Sequence, residues 1–218
     1  MPSSSSRNCE EIKRELEKIA EEIRVCTRCP LHLNRTNAVP GEGDPCSGVV
    51  FIGEAPGQSE DVQGRPFVGS AGQLLTQLLS SNGISRESVF ITNVVKCRPP
   101  GNREPREEEI KACLPYLRRQ LEAIKPRVII TLGRHSTRTV LGMHGHAVNS
   151  IMGVRGREFM VEESWGSLVV FPTLHPAAAL YNPGMRSSLE DDFKRISRII
   201  KGEETKGQKT LDSFFAKY

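Results

Sequence analysis

The sequence predicts an α/β fold, a mostly parallel sheet with helices on both faces. Two observations point there. Four short apolar runs recur along the chain, each closed by a turn or a helix, and segments of helical periodicity lie between them.

The elements follow in order. Ile12, Leu16, Ile19 and Ile23 recur at helical spacing among charged residues, which predicts a helix over residues 10–25. Cys26 and Cys29 follow at its end, and residues 30–48, rich in Pro, Gly, Asn and Asp, read as a loop. Strands are predicted at residues 49–52, running into GEAPG, at 89–92, running into Asn93, at 128–132, running into Gly133, and at 168–174, running into His175 and Pro176. A helix over residues 70–81 presents Leu74, Leu75, Leu78 and Leu79, and a second covers residues 105–124. Residues 154–161 could add an edge strand, and a closing helix is predicted over residues 187–200. Residues 1–9 are expected to be disordered, residues 10–200 to form one domain, and residues 201–218 to form a flexible charged tail.

The chain has 218 residues, 37% apolar and 26% charged, the balance of an ordinary globular protein. No apolar run reaches the length of a membrane span, and the polar start MPSSSSRNCEE lacks a signal-peptide core, so a cytoplasmic, intracellular location is expected. The formal net charge of +4 and the pI near 8.8 suit a DNA backbone as partner, although many proteins without a polyanion partner are equally basic.

There are six cysteines, and an even count permits disulfides. Without a secretion signal, a Cys-x-x-Cys pair reads instead as a metal or redox site. Cys26 and Cys29, with Cys97 and Cys113 later in the chain, offer four thiolates to zinc or to an iron–sulfur cluster, and their spacing does not choose between them. Four unliganded thiols are the alternative. Cys9, in a polar tail, and Cys46, in a loop, are expected to be free.

Ligands of open α/β sheets sit beyond the carboxyl ends of the strands. Glu54, Asn93 and His175 each fall just after a predicted strand, so three polar residues from distant parts of the chain could converge on one cleft. A carboxylate at Glu54 could orient a water or stabilise positive charge; the same GEAPG turn could equally bind phosphate or simply connect strand to helix. Phe67, in GRPFVGSAG, could stack on a planar ligand or staple its loop to the core. The Asn93 amide offers a donor and an acceptor, which suits a base edge, although a backbone-capping role would use it too. His175 could donate to a developing oxyanion or serve a turn structurally. His32, His135, His144 and His146 are read as structural or surface histidines. In the tail, Gln208, Leu211, Phe214 and Phe215 resemble a sliding-clamp-binding box, in which one helical turn forms a plug; docking on the chain's own domain is the alternative.

GEAPG, GRPFVGSAG, TNVVKCRPP and LHPAAAL, in that order over roughly residues 20 to 200, resemble the family 4 uracil-DNA glycosylases. The resemblance implies a three-layer α/β/α fold around a four-stranded, mainly parallel sheet. It implies Glu54 as the catalytic carboxylate beside Gly53, Phe67 stacked on uracil, Asn93 reading the base edge, and His175 stabilising the anionic leaving group. It places a loop through Arg186 against the DNA minor groove and a 4Fe–4S cluster on Cys26, Cys29, Cys97 and Cys113. A related branch that traps uracil covalently carries a reactive histidine in an inserted basic loop; here the segment after Cys97, RPPGNREPREEE, has none, so turnover is expected. A monomer acting on uracil-containing DNA, with a sliding clamp as second partner, is the resulting expectation. The rival readings are a non-enzymatic DNA-binding protein with a four-cysteine zinc site and an iron–sulfur electron carrier on a flavodoxin-like sheet.

Overall fold

A computed structural model describes residues 9–203. The clamp-box residues Gln208, Leu211, Phe214 and Phe215 lie outside the described residues, as does most of the N-terminal segment expected to be disordered. Cys9, assigned to that segment, is instead the first residue of helix α1 (Cys9–Arg24), which buries Leu16, Ile19, Ala20 and Ile23.

The centre is strand β2 (Val49–Gly53), buried along its whole length. Successive side chains of a strand point to opposite faces, so a run of apolar residues suits a strand covered on both sides. Val50 and Ile52 pack into one core with α1 and α4 (Glu107–Ile124). Val49 and Phe51 pack into the other with α3 (Ser70–Ser81) and α8 (Pro183–Lys201). Strands β3 (Phe90–Asn93), β4 (Val128–Leu132) and β6 (Gly166–Thr173) complete a parallel set with β2.

The sheet has six strands in the order β1-β3-β2-β4-β6-β5, not the four expected. Both additions are antiparallel edges: β1 (Glu42–Gly43) on β3 and β5 (Phe159–Glu163) on β6. β1 carries no apolar signal because it is two residues of a Gly- and Pro-rich loop. β5 begins later than the suggested edge strand and buries only Val161, as a one-sided edge does.

Three short helices escaped the sequence pattern: α2 (Gln58–Gln63), α5 (Arg134–Met143) and α6 (Ile151–Val154). α5, RHSTRTVLGM, buries only two apolar residues, Val140 and Leu141, with Ser136 and Thr137, too few for a visible stripe. The segment expected as a loop through Arg186 is helical, α7 (Pro176–Tyr181) followed at once by α8. Pro183 and Gly184 look like breakers in sequence, but proline is tolerated in the first helical turn, and the Asn182 side chain accepts the Gly184 N–H as cap. Among the described residues, no helix is long and apolar enough to cross a membrane.

Cys9 and Cys46 are bonded to each other, which corrects their assignment as free thiols. Sequence placed them in unrelated polar segments; packing brings the start of α1 against the loop that enters β2. The bond closes a loop between positions separated by 37 residues. Constraining an unfolded chain over such a loop is worth about 2–4 kcal/mol. Cys46→Ser is therefore expected to lower the thermal midpoint by several degrees while leaving the fold intact at moderate temperature; equal melting of variant and wild type would remove the bond from the stability of the fold.

Candidate active site

The strand order places β2 between β3 and β4, so the chain leaves β2 towards one side for β3 and returns on the other side for β4. This reversal opens a crevice beyond the carboxyl ends of the strands. A cleft of about 430 Å³ lies there, lined among others by Glu54, Glu60, Phe67, Asn93, Arg103 and His175. The structure thus brings together the four cleft residues predicted from sequence.

Gly53 sets their spacing. A Cβ at Gly53 would lie 2.3 Å from Asn93 Oδ1 and 2.5 Å from the Phe67 ring, so only glycine lets both side chains close over the end of β2. Backbone pairing continues past the strand, with the Val94 N–H donating to Gly53 O and the Val95 N–H to Glu54 O. Phe67 has φ 51°, the left-handed region, uncommon for a bulky residue. Two features hold it there. The Glu60 carboxylate accepts the N–H groups of Gly57, Val68 and Gly69 at 2.8–3.1 Å, tying the GEAPG loop to the Phe67 loop. Gly72 leaves room for the Phe67 carbonyl, which a Cβ would meet at 1.8 Å. The Phe67 and His175 rings then lie 5.6 Å apart, tilted by 30°.

Asn93 is buried, and its Oδ1 has no hydrogen-bond partner. A buried unpaired acceptor costs on the order of 1–3 kcal/mol, and such atoms cluster where a ligand completes them. The backbone at Asn93 is fixed by Lys96, a residue that sequence reading passed over. The buried Lys96 Nζ donates to Thr92 Oγ1, Asn93 O and Gln120 Oε1 at 2.6–2.7 Å. Burial pushes its pKa down to about 7. A lone lysine in a strand-to-loop segment carries no sequence signal of burial.

His175 caps α7, and its Nδ1 accepts the Ala177 N–H at 3.2 Å. The ring proton is thereby assigned to Nε2. Burial pushes the His175 pKa down to about 4, against the opposing pull of Glu60. The residue is a neutral N–H donor at neutral pH. Gly133 allows its approach, since a Cβ there would sit 2.9 Å from the His175 Cβ. Glu54 is half-buried, and burial holds its carboxyl above the usual range, opposed by His135.

Cys26, Cys29, Cys97 and Cys113 are unbonded and line a separate apolar hollow between α1 and α4. Burial pushes the thiols of Cys29, Cys97 and Cys113 up, the last to about 11. Three sulfurs are approached by N–H donors: Cys26 by the Arg28 amide at 3.5 Å, Cys97 by Arg35 Nη1 at 3.2 Å and Cys113 by the Lys96 amide at 3.3 Å. Arg186 is not brought to the cleft; it lies on the exposed face of α8, paired with Glu190 at 3.0 Å.

A family model described as the uracil DNA glycosylase superfamily matches residues 40–199. The chain is 55% identical to a type-4 uracil-DNA glycosylase of Sulfurisphaera tokodaii, over 84% of each chain. It is 52% identical to the type-4 enzyme of Saccharolobus solfataricus over 91% of each, and 47% identical to that of Thermotoga maritima over 86% of this chain and 96% of the relative. The matched span contains the whole parallel sheet and every residue named above as lining the cleft. With a sheet, a cleft and relatives that coincide in this way, the chain belongs to the uracil DNA glycosylase superfamily, in its type-4 group.

Proposed function

We propose that the protein is a monofunctional uracil-DNA glycosylase that hydrolyses the N-glycosidic bond of deoxyuridine in DNA, releasing uracil and leaving an abasic site. The observation that carries the base assignment is the buried, partnerless Oδ1 of Asn93 beside the Phe67 ring. Uracil turned out of the stack offers a flat face to Phe67 and a ring N–H to that oxygen, next to a carbonyl that the amide N–H₂ can meet. Cytosine presents a lone pair where uracil presents its N–H. The mismatch leaves the buried acceptor unpaired, which is the strong form of discrimination.

The chemistry follows from charge. As the C1′–N1 bond breaks, its electron pair moves onto the base and the sugar gains positive character. His175, neutral with its proton on Nε2, stabilises the uracil anion by donating a hydrogen bond, with no proton transfer required. Glu54 stabilises the cationic sugar and orients the water whose oxygen bonds to C1′; the water's proton balances the anion. Leu180 and Tyr181, exposed at the α7–α8 corner, and Arg186 one turn further on form the proposed contact with the duplex. Phosphate contacts there would carry no sequence preference.

The four free cysteines are proposed to hold a 4Fe–4S cluster. Zinc–sulfur bonds of about 2.3 Å put tetrahedral sulfurs about 3.8 Å apart. Among the described residues, the only group of three or more metal-capable ligand atoms within 4.8 Å of one another is Cys9, Asp44 and Cys46, so no three of these four sulfurs approach that closely. The donor set is wider than one zinc ion needs, and its N–H···S contacts suit thiolates. When bound, the cluster supplies a cross-link between the end of α1 and the β3–α4 connection and a one-electron couple. In the tail, Gln208, Leu211, Phe214 and Phe215 are proposed to recruit a sliding clamp.

Four outcomes are expected. On a uracil-containing oligonucleotide, alkaline cleavage should follow incubation at uracil and not at thymine. His175→Ala should lower the single-turnover rate by on the order of a hundredfold, and Glu54→Gln should lower it at least as far; wild-type rates in both would sink the assignment. Anaerobically purified protein should contain iron and acid-labile sulfide with a broad visible absorbance, whereas stoichiometric zinc in a colourless protein would favour the zinc reading. Deleting residues 208–218 should abolish clamp binding and leave excision on short duplexes unchanged; retained clamp binding would dismiss the tail as its carrier.

A further inference from the structure

We propose that His135, held by Glu104, is a positioning residue for Glu54: it fixes the direction of that carboxylate and keeps it as the anion the reaction uses. The inference rests on the glycosylase reading above and concerns a residue that no motif marks.

β4 ends beside β2, Gly133 turns the chain with φ 94°, and α5 starts at Arg134. His135 therefore lies beside the end of β2, next to Glu54 and outside the cleft lining. Its Nε2 lies 4.0 Å from Glu54 Oε2 and 3.1 Å from Glu104 Oε1. Among the described residues, His135 is the only basic side chain within ion-pair distance of the Glu54 carboxylate. Arg134 Nη2 lies 2.9 Å from the same Glu104 oxygen and 3.2 Å from His135 Nε2, so two carboxylates and one guanidinium face the ring. His135 is only 21% exposed, whereas Glu104 is 64% exposed. The imidazole is the most buried member of the group, and it does not line the cleft. It acts through Glu54 and does not touch the base.

The electrostatics agree with the geometry. Burial raises the Glu54 pKa; His135 opposes that, Glu104 adds to it, and Arg134 opposes it. The sign is direct. Excision that needs the Glu54 anion is lost as pH falls through the Glu54 pKa. Without His135 beside it, the loss begins at higher pH. An opposite charge at this distance lowers a carboxylate's pKa, and partial exposure weakens the effect. The remaining charged groups at the cleft, Glu60 and Arg103, are engaged elsewhere, with the Gly57, Val68 and Gly69 amides and with Glu109.

The test is single-turnover uracil release by the full, cluster-loaded chain on a uracil-containing duplex, across a pH series at saturating enzyme. His135→Gln is expected to move the acid limb up by about one pH unit, roughly a tenfold loss below the limb that narrows as pH rises. The enzyme concentration for half-maximal rate should not change. His135→Lys, which places a cation at this position, is expected to return the limb towards its wild-type position. A His135→Gln profile parallel to wild type, whether uniformly slower or unchanged, overturns the proposal, as does failure of the lysine to shift the limb back. Glu54→Gln separates the two levels. If that variant excises at the wild-type rate, the carboxylate reading itself falls; if it is inactive while His135→Gln runs parallel to wild type, only the His135 assignment falls.

Discussion

The cleft depends on a close approach over the end of β2 that any side chain at Gly53 would prevent. Asn93 arrives from β3 and Phe67 from the loop before α3, and they meet above a position where a Cβ would overlap both. Because β2 is buried on both faces and paired to β3 and β4, the floor beneath that contact cannot recede. Phe67 in turn occupies an unfavourable backbone region, so its placement must be imposed from outside. The Glu60 carboxylate and the missing side chain of Gly72 impose it. Backbone strain at such a position persists only where the surroundings over-determine it.

Burial sets the charge states around this contact. It keeps His175 neutral and makes Nε2–H a donor, while the Ala177 amide occupies the other nitrogen. The same low-polarity setting works against the Glu54 anion, whose counterweight lies behind the cleft at His135. One environment thus favours a neutral imidazole and disfavours a nearby carboxylate anion. Separating the proton affinities of neighbouring groups is how enzymes assign roles to them near neutral pH.

The cysteine hollow and the cleft share one segment of chain. From Asn93 to Cys97 the chain passes from the partnerless Oδ1, through the buried Lys96 that clamps the Asn93 carbonyl, to a free thiol. The Lys96 amide also meets the Cys113 sulfur. Whatever holds the four sulfurs therefore holds the end of β3 as well. This gives the hollow a structural connection to Asn93, the proposed base-reading residue.

The sequence alone determined the parallel strands, the major helices and the strand-end positions of Glu54, Asn93 and His175. Those features are written in local periodicity and in turn residues, which depend on neighbours only a few positions away. Its motif order carried the resemblance that the family match then bore out. Tertiary structure decided the rest. The edge strands β1 and β5 exist because a sheet was already present to pair with, and α7 and α8 begin at residues that read as breakers until His175 and Asn182 cap them. The bond between Cys9 and Cys46, the burial of Lys96 and the placement of His135 between two carboxylates join residues dozens of positions apart. Such encounters are created by the packing of elements, and no local pattern of residue types encodes them.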